Sequence, residues 1–223
     1  MNLFQSEVEF IKALKRFSGI LLVNTHVVPN IKVLSEVGVP EWNIVKIIEE
    51  HPWALKNKHD RFKEIIAEVT EMGLDPLMAV FVSAVGTIAS VSKFTWTKKV
   101  NLYKKWGWSD DELLAAFGKY PKCITVSEDK IEKIMDFIVN EMGYESSKIA
   151  RNPVLLGMSF NKRILPRGSV FRVLLSKGLV KKISLSRLFF PSEKVFLEKF
   201  ITHHENEANE LFKLYQAKMY VEE

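Results

Sequence analysis

The stretch KKWGWSDDELLAAFGKYPKCITVS, residues 104–127, contains the end of one helix, a complete second helix and the start of a third. Gly107 can adopt the positive φ that closes a helix. Ser109 and Glu112 have the spacing of a capping box, in which two side chains satisfy free N–H groups at the start of the next helix. Pro121 disfavours helix in the residue before it. The stretch therefore predicts two helices joined by a glycine turn, with a new helix at its carboxyl end.

The same arrangement recurs along the chain at nearly constant spacing. The turn glycines lie 35, 34, 36 and 35 residues apart, at Gly38, Gly73, Gly107, Gly143 and Gly178. A second mark follows three of these turns, a proline with an aliphatic residue three positions further on. The pairs are Pro52 with Leu55, Pro121 with Ile124, and Pro153 with Leu156. Self-similarity with this period indicates a solenoid, in which each repeat buries its apolar face against its neighbours.

No segment shows the alternation of apolar and polar residues over four to eight positions that indicates a strand. We therefore predict an all-α fold, a helical-repeat solenoid of five to six repeats that forms a single domain over residues 1–223. We expect the first helix at residues 4–17 and a C-terminal helical cap at residues 193–223. The content of 47% hydrophobic and 26% charged residues is that of a soluble globular protein with a substantial core.

Cysteine usage and hydropathy narrow the possible locations of the protein. The single cysteine, Cys123, cannot form an intramolecular disulfide, which favours a reducing compartment and a buried residue over a nucleophile. The longest uncharged run, residues 76–92, is shorter than the roughly 20 apolar residues that span a bilayer, so we predict a buried helix and no membrane contact. The amino end has no signal-like or transit-like leader, which predicts either an untargeted protein or one whose leader has been removed.

Positive charge is concentrated in residues 144–192, which we call the basic zone. It contains ten basic residues and one acidic residue, Glu145, for a net charge of +9, whereas the rest of the chain sums to −4. Polarised charge on a repeat scaffold is expected of a polyanion binder, because each Lys or Arg near a phosphate releases condensed counterions. The alternative is a solvated surface without a binding role, although such a surface normally mixes both signs.

The order and spacing of these features resemble the mTERF family, especially its plant members. The resemblance rests on the repeat with its glycine turn and proline mark, on NPVLL at residues 152–156, on KRILPRGSV at residues 162–170, and on the C-terminal part from Phe200 to Tyr215. It covers essentially the whole chain. Two repeats depart from the pattern, and we expect altered second helices in both. Gly86 replaces the proline of one, and the repeat after Gly143 reaches its proline after ten residues rather than fourteen.

The resemblance implies a superhelix of helical repeats that binds nucleic acid through its positively charged surface. It implies double-stranded DNA or structured RNA as the partner, together with organellar transcription or splicing proteins, in the chloroplast or the mitochondrion. The implied roles are regulation or termination of transcription, and RNA processing or splicing. We expect a monomer without a cofactor.

Within the basic zone we predict phosphate contacts by seven cationic residues. Arginine suits phosphate because its planar guanidinium donates two hydrogen bonds at once. The predicted set is Arg151, Arg163, Arg167, Arg172, Lys181, Lys182 and Arg187. For Arg163 and Arg167 the alternative is a pair of intramolecular salt bridges, since buried arginine is usually paired.

Motifs of catalysis and metal binding are missing from the sequence, which has no P-loop, GxGxxG, GxSxG or HExxH. His203 and His204 are adjacent and would point to different helix faces, so we interpret them as polar residues of the cap and predict no metal site. We therefore predict a binding protein and not an enzyme. The alternative function is a protein-interaction scaffold whose basic zone binds an acidic partner.

Overall fold

The computed structural model describes residues 25–219, so the helix predicted at residues 4–17 lies outside the described residues. Between residues 25 and 219 the chain is helices and turns, with no strand. The α-helices are α1 (Val27–Glu36), α2 (Glu41–Glu50), α3 (His59–Glu71), α4 (Ala79–Ser90), α5 (Lys93–Lys105), α6 (Asp110–Lys119), α7 (Glu128–Met135), α8 (Ser146–Ala150), α9 (Leu165–Ser176), α10 (Leu185–Phe189), α11 (Glu193–Leu197) and α12 (Ala208–Met219).

Short 3₁₀-helices and π-helices lie between the α-helices or extend them. The 3₁₀-helices are Ala54–Lys56, Pro121–Thr125 and Pro153–Gly157, and each lies at one of the predicted proline marks. The aliphatic residue of each mark is buried. The π-helices are Asp136–Glu141, which continues α7, Phe160–Ile164, which leads into α9, and Glu198–Thr202, which continues α11. The prediction of an all-α helical repeat is confirmed.

The predicted turn glycines have a backbone conformation that favours glycine. All five have φ between 66° and 88°, and no other residue of the described chain has a positive φ. At Gly107 the chain closes α5 in the manner of a Schellman motif, because the N–H of Trp108 donates to the carbonyl oxygen of Tyr103 at 3.2 Å. The capping box follows, with the N–H of Glu112 donating to Ser109 Oγ and the N–H of Ser109 donating to Glu112 Oε2, both at 3.1 Å.

Contacts divide the chain into two compact units. Unit 1 comprises Met1–Val100 and Phe117–Thr125, and unit 2 comprises Asn101–Ala116 and Val126–Glu223. Two of the three boundaries fall inside α5 and α6, and the third follows Thr125, at the end of a 3₁₀-helix. The single domain over residues 1–223 stays a prediction.

Unit 1 is built around α4, which packs against α2, α3 and two of the 3₁₀-helices. Residues on several sides of α4 are buried, among them Phe81, Val82 and Val85, as predicted for the uncharged run. Gly86 allows the imidazole of His51 to lie against the α4 backbone, since an added Cβ would be only 2.3 Å from His51 Cγ. Of the described helices, none is long and apolar enough to cross a bilayer alone, and α4 with α5 passes that test only as a pair bent by 113°.

Unit 2 is organised around α9, which packs on α12 and on the π-helices beside it. Gly168 lets two helices approach closely, because an added Cβ would lie 2.4 Å from Phe137 Cε1. The predicted cap contributes Phe196, Phe200 and Tyr215 to the core. The second helix after Gly143 is altered as expected, since α8 has 5 residues where α6 has 10.

Candidate nucleic-acid interface

The basic zone lies entirely in unit 2, on the elements from α8 to the turn after α10. Of its ten cationic residues, one is buried, one is half-buried and eight are exposed. The exposed ones are Lys148, Arg151, Lys162, Arg172, Lys177, Lys181, Lys182 and Arg187. The local fold therefore presents most of the positive charge to solvent, as a polyanion-binding surface requires.

Successive glycine turns of unit 2 lie side by side. Ser146 Oγ, just after the Gly143 turn, donates to the carbonyl oxygen of Trp106 at 2.6 Å, beside the preceding turn. The hydroxyl of Tyr144 donates to the carbonyl oxygen of Ile183 at 2.8 Å, in the loop of the following turn. These bonds place Lys181, Lys182 and the start of α10 next to the turn that precedes α8. Lys181 and Lys182 thereby lie beside the turn that leads into α8, the helix that contains Lys148.

Lys181 and Arg187 are the predicted contact residues whose side chains are best presented. Both are exposed, and neither side chain has an ion-pair partner among the described residues. Arg187 stands on α10, whose start is fixed by the Ser184 hydroxyl, which accepts a hydrogen bond from the Arg187 N–H at 3.4 Å. Arg151 is also exposed, at the end of α8. These positions are suited to direct contact with phosphate.

Other exposed cations already have intramolecular partners. Arg172 forms an ion pair with Glu141, and Lys177 pairs with Glu210 at 3.1 Å. Lys182 donates to the carbonyl oxygen of Gly143 and lies 4.4 Å from the centre of the Tyr144 ring. Exposed ion pairs are weak, so these side chains are accessible to a phosphate but present less net charge.

The prediction that Arg167 contacts phosphate is wrong. Its side chain is only 1% exposed, and its guanidinium donates to the carbonyl oxygens of Phe189 at 3.1 Å and Pro191 at 2.7 Å. Burial lowers the pKa of Arg167 and the nearby Arg163 lowers it further, but a guanidinium stays charged at neutral pH. The expected intramolecular partners are thus backbone carbonyl groups and not carboxylates. Arg167 cannot contact a polymer at the surface.

Arg163 has an intermediate position. It lies in the π-helix before α9, is half-buried, and donates to the carbonyl oxygen of Phe189 over 3.5 Å, a long hydrogen bond. Two exposed lysines that were not singled out from the sequence, Lys148 and Lys162, are better presented than Arg163. Nothing in the sequence distinguishes these lysines from the rest of the basic zone.

The residues considered for metal binding or catalysis do not form a site. Over residues 25–219 there is no group of three or more His, Cys, Asp or Glu side chains that could hold a metal ion. His203 and His204 stack edge to face with ring centres 5.5 Å apart. Cys123 is buried, and burial raises the pKa of its thiol to about 12, so the thiolate needed by a nucleophile is scarce.

Comparison with known proteins identifies a matching family and two similar proteins. A sequence model of the mTERF family matches residues 5–197. The transcription termination factor MTERF8, chloroplastic, of Arabidopsis thaliana is 23% identical over 75% of this chain and 33% of its own length. The transcription termination factor MTERF15, mitochondrial, of the same plant is 26% identical over 85% of this chain and 51% of its own length. The chain therefore spans between about a third and a half of the length of these relatives.

Proposed function

Because this chain belongs to the mTERF family, we propose that it binds nucleic acid in organelle gene expression, through phosphate contacts made by the basic zone. The observation that carries the proposal is that eight of the ten cations in this zone are exposed while residues 146–191 contain no acid. Binding, and not catalysis, is the proposed activity.

The phosphate contacts are assigned to the exposed cations of the basic zone. Lys148, Lys162, Lys181 and Arg187 are exposed and have no ion-pair partner among the described residues, and Arg151 and Lys182 lie on the same loops and helices. Four phosphate contacts predict that log K falls with log salt concentration with a slope of about −3 to −4. Base readout is not part of the proposal, because phosphate contacts carry no sequence information by themselves.

The proposed setting follows from the relatives. Their names describe transcription termination factors of the chloroplast and the mitochondrion. We propose that this protein acts in one of these organelles, in termination or regulation of transcription or in RNA processing or splicing. Double-stranded DNA and structured RNA are the proposed partners, since a backbone-binding surface accepts either.

Fluorescence anisotropy with a labelled DNA duplex and a labelled RNA stem-loop tests the proposal. We expect the chain to bind at least one of the two at low salt, and binding to weaken log-linearly between about 50 and 200 mM salt. Undetectable binding to both polymers at low salt would overturn it. Nuclease-resistant association with an acidic protein, without affinity for either polymer, would instead support the scaffold function.

A further inference from the structure

Two large apolar side chains occupy the same position in consecutive repeats of unit 1. Trp42 and Leu77 each lie four residues after a turn glycine, and they are 70% and 60% exposed. Met78, next to Leu77, is 56% exposed. The two turns are neighbours, because the Nδ2 of Asn43 donates to the carbonyl oxygen of Leu77 at 3.1 Å. We call the three exposed side chains, Trp42, Leu77 and Met78, the apolar edge.

The apolar edge stands on a firmly held backbone. The residues that follow the two turn glycines, Val39 and Leu74, are buried, and Asn43 itself is 1% exposed. The side chain of Asp75 accepts a hydrogen bond from the N–H of Leu77 at 2.9 Å, which fixes the segment in front of α4. Single exposed apolar residues are ordinary, but a preorganised group that includes tryptophan is typical of a protein-binding surface.

The segments that carry the apolar edge hold more acidic than basic residues. Residues 33–45 and 64–92 contain six acids and no Lys or Arg, and three of these acids, Glu36, Glu64 and Glu68, are ion-paired with basic residues just outside the two stretches. The flanking Lys32 and Lys46 pair with glutamates of their own helices, at 3.7 Å from Glu36 and 3.8 Å from Glu50. In the described part of the chain, Glu41 and Asp75 have no ion-pair partner, so they leave negative charge beside the exposed tryptophan. Here the sign of the charge is opposite to that of the basic zone.

We propose that the apolar edge docks a basic amphipathic helix of a partner protein. The apolar face of such a helix, with anchors at i, i+3, i+4 and i+7, covers Trp42, Leu77 and Met78, and its Lys or Arg residues lie beside Glu41 and Asp75. The acids repel nucleic acid and anionic lipid, so neither is the occupant. Docking here is independent of nucleic-acid binding by unit 2.

A displayed library of helical peptides, panned against the protein, tests the proposal directly. We expect the enriched peptides to combine helical apolar spacing with Lys or Arg, and their binding to weaken with salt. Trp42→Ala should weaken a selected peptide by about tenfold or more. Glu41→Gln with Asp75→Asn should reduce the salt dependence, and Asn at position 75 keeps an oxygen that can accept the Leu77 hydrogen bond.

The matched control is Phe94→Ala. Phe94 is 73% exposed, but it lies at the amino end of α5, the opposite end of a repeat's first helix from the turn. We expect this variant to bind the peptides as the unchanged protein does, and circular dichroism should show both Ala variants folded. The proposal is overturned by peptides whose binding is indifferent to Trp42, by selection of acidic peptides, or by a dimer in sedimentation that Trp42→Ala dissociates. The last result would assign the edge to a second copy of this chain.

Discussion

The guanidinium of Arg167 donates a hydrogen bond to the carbonyl oxygen of Pro191, across 2.7 Å. The same nitrogen donates to the carbonyl oxygen of Phe189, and the ring of Phe196 lies 4.8 Å from the guanidinium carbon. The last carbonyl groups of a helix have no partner within that helix, so Arg167 satisfies the carboxyl end of α10 from the neighbouring α9. One buried side chain thus joins α9, α10 and α11.

Replacing this side chain should destabilise the fold strongly. Arg167→Met removes the guanidinium, so the carbonyl oxygens of Phe189 and Pro191 lose the hydrogen bonds that it donates. We expect the free energy of unfolding to fall by about 2–4 kcal/mol. Urea unfolding followed by circular dichroism measures this loss. The matched control is Arg187→Met on exposed surface, for which we expect a change within about 0.5 kcal/mol. Equal stability of the two variants would show that Arg167 has no such structural role.

The close approach at Gly168 gives a second prediction. An alanine Cβ there would lie 2.4 Å from Cε1 and 2.7 Å from Cζ of Phe137, so Gly168→Ala should destabilise by about 1–3 kcal/mol. Gly118 also lies in a helix, but an added Cβ meets no atom within 4 Å. Gly118→Ala should therefore be neutral or stabilise by up to about 1 kcal/mol. Thermal melts of the two variants decide the matter, and a stabilising Gly168→Ala would refute the packing described for α9.

The sequence specified the repeat because its signals are local. A glycine that requires positive φ, a capping box and a proline-led 3₁₀ turn each depend on a few adjacent residues. These local rules located Gly107, Ser109 and Pro121 correctly. The three π-helices could not be found in this way, since a single extra residue in a helical turn has no comparable sequence mark.

Individual contact residues were harder to predict than the basic zone itself. The burial of Arg167 could have been read from the helix period, because Val170, Phe171 and Leu174 lie three, four and seven residues further on and are all buried. The pairing of Arg172 with Glu141 could not have been predicted from the sequence, because the two residues are 31 positions apart and meet only through the packing of neighbouring repeats. Charge density is a property of composition, but accessibility depends on the fold.

The buried imidazole of His51 predicts a pH-dependent stability. Burial lowers the pKa of His51 below its ordinary value of 6.5, Lys122 and Lys46 lower it further, and Glu50 opposes them. Just below pH 6.5 the unfolded chain therefore binds more protons than the folded chain. Because of this residue, the free energy of unfolding decreases as the pH falls through 6.5, whereas above that pH the residue causes no change. Urea midpoints at about pH 7.5 and 5.5 should differ less in His51→Gln than in the unchanged protein. An identical difference in both would show that His51 does not contribute.

The thiol of Cys123 should be inert in the folded protein. Its side chain is fully buried, and burial raises its pKa to about 12, so very little reactive thiolate forms at neutral pH. Alkylation by iodoacetamide, followed by mass spectrometry, should be slow in buffer and fast in concentrated urea. Rapid labelling without urea would contradict the packing of the Pro121–Thr125 helix against α4.

The salt dependence of nucleic-acid binding tests the basic zone most directly. Lys181→Gln with Arg187→Gln removes two exposed cations of this zone, and the matched control is Lys32→Gln with Lys63→Gln, two exposed cations of unit 1. We expect the first variant to bind the DNA duplex or RNA stem-loop more weakly, with a slope of log K against log salt reduced in magnitude by about two, while the control keeps its slope. An unchanged affinity and slope for Lys181→Gln with Arg187→Gln would contradict phosphate binding by these residues.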